Sequence, residues 1–225
     1  GRAVFTLANR ILAVSQHTAY ELVRNVPAYP SKIDVVYHGL PKVNELPDHD
    51  RSGVITVASP RTETTVQVKG LRTFLRVAAR CPDIGFEIVG GGEEEILGSL
   101  RTGAPPNVAF TGWLSQNTLA ERMRHACIYA QLSAYESFGM ALAQAMNHGC
   151  LPVVTNRGAL PEVVGPTGWY VPYGDPDATA QAIREALAAP PEASRGVHDR
   201  IRTCFPLSTR REQLIAHIRA LAAPS

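Results

Sequence analysis

The stretch of residues 133–149 reads Ser-Ala-Tyr-Glu-Ser-Phe-Gly-Met-Ala-Leu-Ala-Gln-Ala-Met-Asn-His-Gly. One short apolar run, residues 128–132, precedes it and another, residues 151–155, follows it; both are typical of buried strands. Between them, apolar side chains recur at helical spacing until Gly149 ends the helix. The apolar positions are Phe138, Ala141, Leu142, Ala145 and Met146. The segment is therefore predicted to fold as strand, loop, helix and strand.

Glu136 lies in the predicted loop, at the carboxyl end of the first of these strands. In open parallel sheets, ligands bind at that edge. Gly139 allows the backbone to come close to a ligand, and the unpaired N–H groups of the first helical turn suit a phosphate. The sequence thus predicts a site for an anionic ligand at the start of this helix.

Alternating strands and helices begin at Gly53 and predict an α/β fold with a doubly wound, Rossmann-like parallel sheet. Six parallel strands are expected, at 54–58, 84–89, 108–111, 128–132, 151–155 and near 169–171. An open loop, residues 59–68, is predicted to follow the first strand, with Lys69 at the start of the next helix. Two helices near residues 193–203 and 208–222 are expected to close the chain.

Glu136, Phe138 and Gly139 resemble the Glu-x-Phe-Gly donor-site motif of retaining glycosyltransferases with the two-domain GT-B fold, in particular glycosyltransferase family 4. The family has a second Glu eight residues after the first, and Gln144 occupies that place here. The resemblance covers nearly the whole chain. It implies the carboxyl-terminal, donor-binding half of an enzyme that transfers a hexose from a UDP- or GDP-sugar to an unknown acceptor.

The resemblance also implies a division of the chain. Residues 1–41 would be a strand–helix–strand remnant of the N-terminal, acceptor-binding domain, and residues 42–52 the linker. Residues 53–190 would bind the nucleotide sugar, and residues 191–225 would form the closing helices. A missing N-terminal domain or subunit is therefore expected as a partner, and the isolated chain is expected to be inactive.

Cleavage of the bond between hexose and pyrophosphate places negative charge on the leaving phosphate, which a metal or fixed cations must stabilise. The resemblance implies cations, Lys69 and Arg61, with no metal and no cofactor. A lysine at the positive end of a helix is electrostatically unfavourable, which favours a functional role over that of an exposed helix-start residue. The loop between Arg61 and Lys69 is longer than is usual in the family.

The resemblance gives further roles to the residues around this centre. Glu136 would orient the donor sugar, although it could instead cap the helix. Gln144 would accept a hydrogen bond from a ribose hydroxyl without the help of a charge. The nucleotide-binding set is completed by Phe138, Gly139, Met140, Gly112 and Trp113. Gly139 and Met140 would offer backbone N–H groups, Phe138 would pack in the core, and Trp113 would contact the base or plug the sheet edge.

No protein nucleophile is expected, since the resemblance implies that the leaving phosphate helps to deprotonate the acceptor on the same face. Gln144 and the absent N-terminal half also fit a non-catalytic nucleotide-sugar-binding subunit or a degenerate glycosyltransferase domain. A sugar-nucleotide epimerase of similar fold would need acid–base residues that the sequence does not place.

The amino-acid composition limits the kinds of partner that are expected. A net charge of +2 is too small to indicate a nucleic acid, and the seven histidines show no metal-ligand spacing. The four cysteines are scattered, which favours reduced core thiols, and a cytoplasmic location is predicted. The arginine-rich segment 195–211 fits either a solvated helical face or a patch for peripheral membrane contact.

Overall fold

The computed structural model describes residue 5 and residues 7–25, 30–44, 46 and 50–222. Its core is a six-stranded sheet in the order β5-β4-β3-β6-β7-β8, and every neighbouring pair is parallel. A separate parallel pair, β1 and β2, lies near the start of the chain. The strands are β1 Ile11–Ala13, β2 Ile33–Val35, β3 Ser52–Val57, β4 Phe86–Val89, β5 Val108–Gly112, β6 Ala126–Gln131, β7 Leu151–Thr155 and β8 Trp169–Val171. The predicted doubly wound α/β sheet is confirmed.

Helices connect these strands, as the crossovers between parallel strands require. They are α1 Gln16–Asn25, α2 Glu63–Val68, α3 Leu71–Arg80, α4 Glu94–Thr102, α5 Gln116–His125, α6 Met140–Asn147, α7 Leu160–Val164, α8 Pro176–Leu187, α9 Glu192–Cys204 and α10 Leu207–Ala222. Serine side chains cap two of these helices: Ser15 Oγ accepts from the Thr18 N–H at 2.9 Å, and Ser115 Oγ accepts from the Thr118 N–H at 3.1 Å.

The segment after β3 differs from the predicted open loop, because residues Glu63–Val68 form α2. Thr62 caps this helix by accepting from the Thr65 N–H at 3.2 Å, and Glu63 lies in its first turn. Its β-branched residues weaken the helical signal, so tertiary packing and the cap decide. Lys69 ends α2 and does not begin α3. A cation is favourable at that end, so the electrostatic argument from a helix start was wrong.

The core lies between the sheet and its helices. Helix α3 buries five apolar side chains against the sheet: Leu71, Phe74, Leu75, Val77 and Ala78. Phe74 packs edge-on against Phe86 of β4, with ring centroids 5.3 Å apart. This packing fixes the side of the sheet on which α3 lies, and therefore the place where Lys69, just before α3, meets the carboxyl edge.

An aromatic cluster joins the first part of the chain to the sheet. It consists of Tyr37, His38, Phe138 and Phe205, with neighbouring ring centroids 5.3 to 6.3 Å apart. Beside it, the Leu40 N–H donates to the Phe205 carbonyl at 2.9 Å, and the Leu207 N–H donates to the Leu40 carbonyl at 3.0 Å. Segments 37–40 and 205–207 are thus held together by both packing and backbone hydrogen bonds.

The closing helices carry the arginine-rich segment. Two of its members are bound inside the protein: Arg200 donates to the carbonyls of Glu162 and Val163, and Arg210 to those of Val36 and Tyr37. Of the side chains described in α10, none is buried, and the apolar face expected there is open, with Ile218 65% exposed. No helix in the described part of the chain has the length and apolar character needed to span a membrane.

The four cysteines are free thiols. Cys81 and Cys150 are buried and Cys127 is half-buried, as predicted for core thiols. Burial raises the pKa of the Cys150 thiol to about 12, so it stays protonated and unreactive at neutral pH. Cys204 is exposed, against the prediction, because it ends α9 at the surface and away from the sheet.

Candidate functional site

An ion pair between Lys69 and Glu136 lies at the carboxyl edge of the sheet. Lys69 Nζ is 2.6 Å from Glu136 Oε1, and the two side chains are 31% and 12% exposed. Their segments meet because β3 and β6 are neighbours, so the loops after these strands leave the sheet side by side. The structure thus brings together two of the residues that the sequence singles out, at the edge where open sheets bind ligands.

Two further side chains hold the same carboxylate. Gln131 Nε2 donates to Glu136 Oε1 at 3.0 Å, and Ser133 Oγ donates to it at 2.9 Å. Sequence reasoning missed both. A signal was present in Gln131, a polar residue that closes an otherwise apolar strand.

Helix α6 begins at Met140 with Gly139 as its N-cap residue, at φ 93°, and no side chain in the described part of the chain caps this helix start. Glu136 therefore does not serve as the cap, since its hydrogen bonds run to Lys69, Gln131 and Ser133. The backbone N–H groups of the first turn are left to the cleft. Met140 is 37% exposed there, whereas Phe138 is buried in the aromatic cluster and packs away from the site.

The loop after β7 supports the backbone of Glu136. The Ala159 N–H donates to the Glu136 carbonyl at 2.9 Å. Gly158 has φ 59°, and a Cβ at this position would lie 2.6 Å from the Glu136 carbonyl oxygen and 2.8 Å from its nitrogen. Only glycine fits both this conformation and this approach, so the two loops are packed as one unit.

Glu162 lies in the first turn of α7, which follows that loop, and binds the first part of the chain. Its carboxylate accepts from the Gln16 N–H at 2.8 Å, the His17 N–H at 2.7 Å and the Tyr37 O–H at 2.9 Å. The first two donors begin α1, where a negative charge is favourable. Burial, followed by the hydrogen bond to Glu162, raises the pKa of Tyr37 to about 12. Sequence reasoning missed this role.

The other predicted phosphate cation is placed differently. Arg61 is exposed in the segment before α2 and forms no ion pair within the described residues. Helix α2 separates it from Lys69 along the chain. Arg157 is a second exposed cation at this edge; its guanidinium lies 5.0 Å from the centre of the Tyr173 ring. Tyr173 in turn donates to the Gln67 carbonyl at 2.7 Å, close to Lys69 in the chain.

Gly112 and Trp113 follow β5 at the same edge. The Gly112 carbonyl accepts from the Gly90 N–H at 2.9 Å, and Trp113 is 72% exposed. The indole lies against Gly91, where the absence of a side chain makes room for it. Trp113 therefore does not plug the sheet edge, and its ring is open to a ligand.

Gln144 is half-buried on α6. It lines a pocket of about 200 Å³ that is also bordered by Pro41 and Val43 and by Gln116 at the start of α5. Gln144 thus borders the same pocket as the start of α5, which follows Trp113 in the chain. Across the described residues, no cluster of three His, Cys, Asp or Glu side chains is arranged to hold a metal ion.

Comparison with known proteins adds to this geometry. Residues 51–189 match the family described as glycosyl transferases group 1. The chain is 30% identical over 203 residues to the D-inositol 3-phosphate glycosyltransferase of Mycolicibacterium gilvum, covering 82% of this chain and 46% of that protein. It is 34% identical over 122 residues to the phosphatidyl-myo-inositol mannosyltransferase of Mycolicibacterium smegmatis, covering 51% of this chain and 32% of that protein. The chain thus spans at most about half the length of these relatives.

Solved structures show the same fold. The sucrose-phosphate synthase of Thermosynechococcus elongatus superposes with a TM-score of 0.83 at 24% identity, covering 100% of this chain and 61% of that chain. Anabaena HepE in complex with UDP and glucose superposes with a TM-score of 0.81 at 18% identity, covering 94% of this chain and 63% of that chain. At these identities the likeness shows the fold alone, that of GT-B glycosyltransferases.

Proposed function

The chain belongs to the glycosyl transferases group 1 family, and we propose that it is the donor-binding part of a retaining glycosyltransferase that uses a UDP- or GDP-sugar. The observation that carries this proposal is the Lys69–Glu136 pair beside the uncapped start of α6. A cation, a carboxylate and free backbone N–H groups are the three kinds of group that a hexose diphosphate requires.

Each group has one task in this proposal. Lys69 turns from Glu136 to the diphosphate and, with Arg61 and the first-turn N–H groups of α6, stabilises the charge on the leaving phosphate. Glu136 accepts a hydrogen bond from a hydroxyl of the hexose and so fixes the orientation of the sugar. The leaving phosphate assists deprotonation of the acceptor on the same face, which preserves the anomeric configuration. The nucleoside lies between Gln144 and the Gly112–Trp113 segment.

The acceptor side is proposed to come from another part of the enzyme. The matched regions cover 46% and 32% of the two named relatives, which supports an additional N-terminal domain or subunit. Their names specify inositol-containing acceptors, but the acceptor of this chain is left open. A cytoplasmic location is part of the proposal. Peripheral membrane contact would involve the exposed members of segment 195–211, since Arg200 and Arg210 are bound internally.

Gln144 favours a second candidate, a non-catalytic nucleotide-sugar-binding subunit or a degenerate domain. A neutral amide forms a weaker hydrogen bond to a ribose hydroxyl than a carboxylate does. Both candidates bind the nucleotide sugar. Transfer of the hexose by the assembled enzyme would separate them.

Thermal unfolding of the chain with UDP, GDP and ADP tests the proposal. A nucleotide at a hundred times its dissociation constant stabilises the folded state by about 2.7 kcal/mol, or roughly 5–10 °C for a chain of this size. We expect this shift with UDP or GDP. Lys69→Met should lower the affinity at least about tenfold, through loss of a charge-assisted hydrogen bond. Arg184→Met is the matched control, because Arg184 also pairs with a carboxylate, that of Asp83, which lies just before β4 and so at the opposite edge of the sheet. No shift with either nucleotide would overturn the proposal.

A further inference from the structure

A chain of buried hydrogen bonds runs from β3 to Glu136. The Val57 N–H donates to Tyr129 Oη at 3.2 Å, and Tyr129 Oη donates to Gln131 Oε1 at 3.2 Å. Gln131 Nε2 then donates to Ser133 Oγ at 2.6 Å and to Glu136 Oε1 at 3.0 Å. Every donor in this chain points toward Glu136. The order also fixes the orientation of the Gln131 amide, because its oxygen faces a donor and its nitrogen faces two acceptors.

Burying these polar groups costs free energy, which indicates that they have a function beyond packing. Tyr129, Gln131 and Ser133 are 0%, 3% and 0% exposed, and β6 lies in the interior of a parallel sheet covered on both faces. Such strands are normally apolar, and a buried amide costs free energy unless it is hydrogen-bonded. Apolar side chains at 131 and 133 would satisfy packing alone. The polar side chains are accounted for by the carboxylate on which they converge.

The two oxygens of the Glu136 carboxylate differ in their hydrogen bonds. Glu136 Oε1 accepts from Lys69 Nζ, Gln131 Nε2 and Ser133 Oγ. Within the residues that the structure describes, Oε2 accepts from no donor. If Lys69 leaves for a diphosphate, Gln131 and Ser133 still hold Oε1, and Oε2 remains available to a hydroxyl group.

We infer that Gln131 and Ser133 are positioning residues that keep the Glu136 carboxylate aimed at the donor hexose once Lys69 has turned to the diphosphate. This inference rests on the proposed function and adds the residues on which sugar recognition depends. The two side chains act through Glu136 and do not touch the substrate.

Calorimetric titration with UDP, UDP-glucose, GDP and GDP-mannose tests this inference. The quantity of interest is the hexose increment, defined as the ratio of the dissociation constants of the free nucleotide and its nucleotide sugar. Gln131→Met and Ser133→Ala should each lower the hexose increment by about three- to tenfold, the range that corresponds to one hydrogen bond. The affinity for the free nucleotide should stay within about twofold, because Lys69 and α6 are unchanged.

Thr179→Val is the matched control. Thr179 is also fully buried and donates to a backbone carbonyl, that of Asp175, but it lies at the start of α8 and does not contact Glu136. It should lower the stability without changing the hexose increment. If Gln131→Met fails to fold, Ser133→Ala carries the test.

A double variant at positions 131 and 136 gives a measurement that a purely structural role of Gln131 would not affect. In a Glu136→Gln background, Gln131→Met should reduce the hexose increment no further, because both changes act on one group. Additive losses would overturn the inference, and so would a wild-type hexose increment in both single variants. A wild-type chain that binds nucleotides but gains nothing from the hexose would also overturn it, with the proposed nucleotide site intact. A chain that binds no nucleotide would overturn the proposed function itself.

Discussion

The segments after β6 and β7 each carry one glutamate, Glu136 in a loop and Glu162 in α7, and the two carboxylates are held in different ways. Glu162 accepts three hydrogen bonds that are spread over both oxygens, from Gln16, His17 and Tyr37. Glu136 also accepts three, but all of them fall on Oε1. A carboxylate with both oxygens occupied serves the fold, whereas one with a free oxygen can serve a ligand. The exposure of the side chains and their positions after a strand would not by themselves distinguish the two glutamates.

Their partners differ as well. The donors to Glu162 are far away in the chain, with Gln16 146 positions from it, so this carboxylate joins the small β1–β2 unit to the large sheet. The donors to Glu136 come from β6, its own loop and the segment before α3. The first glutamate therefore belongs to the assembly of the chain, and the second to a local site.

Replacing Glu162 is expected to give the largest effect on stability. Glu162→Ala removes the acceptor at the start of α1 and leaves the Tyr37 hydroxyl without its partner, which together should cost about 2–4 kcal/mol. Equilibrium unfolding in denaturant measures this loss, and UDP or GDP affinity should change by less than about twofold. Glu162→Gln keeps one acceptor oxygen and should lose roughly half as much. A stable Glu162→Ala variant that has lost nucleotide binding would reverse the roles of the two glutamates.

Glu136→Gln should show the opposite pattern. The unfolding free energy should change by less than about 1 kcal/mol, because the amide oxygen can still accept from Gln131 and Ser133. The hexose increment should fall by about tenfold with the loss of a charge-assisted acceptor. Affinity for the free nucleotide should be equal or a few-fold higher, since Lys69 is no longer held by a carboxylate. Calorimetry with a nucleotide and its sugar measures both terms, and a large loss of stability with binding unchanged would contradict the comparison.

The pH dependence of stability tests whether Glu162 binds the hydroxyl of Tyr37. Its pKa is raised from 10.0 to about 12, because burial and the bond to Glu162 favour the neutral phenol. The resulting stability is fully present below about pH 10 and is lost as the pH rises toward 12. Unfolding free energies of wild type and Tyr37→Phe should therefore differ by about 1–2 kcal/mol at neutral pH and converge over that interval. A difference that is constant from pH 8 to 12 would show that Glu162 does not hold the phenol.

Gln144→Glu is the smallest of these effects and extends the comparison to a third side chain. If Gln144 meets the ribose, a carboxylate in its place should tighten UDP or GDP binding about fivefold, or by about 1 kcal/mol. The two side chains have nearly the same shape, so the stability should hardly change. A deoxyribose nucleotide should show less of the gain, since the added charge acts on the hydroxyl groups. Equal or weaker binding of both ribonucleotides in calorimetry would remove Gln144 from the ribose site.

Most of the fold could be predicted from the sequence. The spacing of the apolar residues and the residues that begin or end each element indicate the same strands and helices. β7 has the predicted bounds of residues 151–155, and Ser115 caps the predicted helix. α2 could not be found in this way, since its threonines and valines favour strands and its helical state depends on the Thr62 cap and on packing. The misplacement of Lys69 relative to a helix end follows directly from that omission.

The candidate site was only partly predictable, for a different reason. Glu136 and Lys69 could be paired because parallel topology brings the carboxyl ends of β3 and β6 together. The supporting Gln131 and Ser133 depend on side-chain directions within one strand end, which no spacing rule reports. The role of Glu162 could not be predicted, because its partners lie in the first part of the chain and such distant contacts leave no local sequence pattern.

The contact between segments 37–40 and 205–207 has a consequence for the order of folding. Arg210, in α10, donates to the carbonyl of Val36, 174 positions earlier. Contacts at such separation form late, because closing a long loop costs entropy that earlier, local contacts must first offset. During synthesis, the β1–β2 unit therefore leaves the ribosome well before α10, because 174 positions separate Val36 from Arg210. Segment 36–40 can therefore reach its native contacts only after α10 has been synthesised.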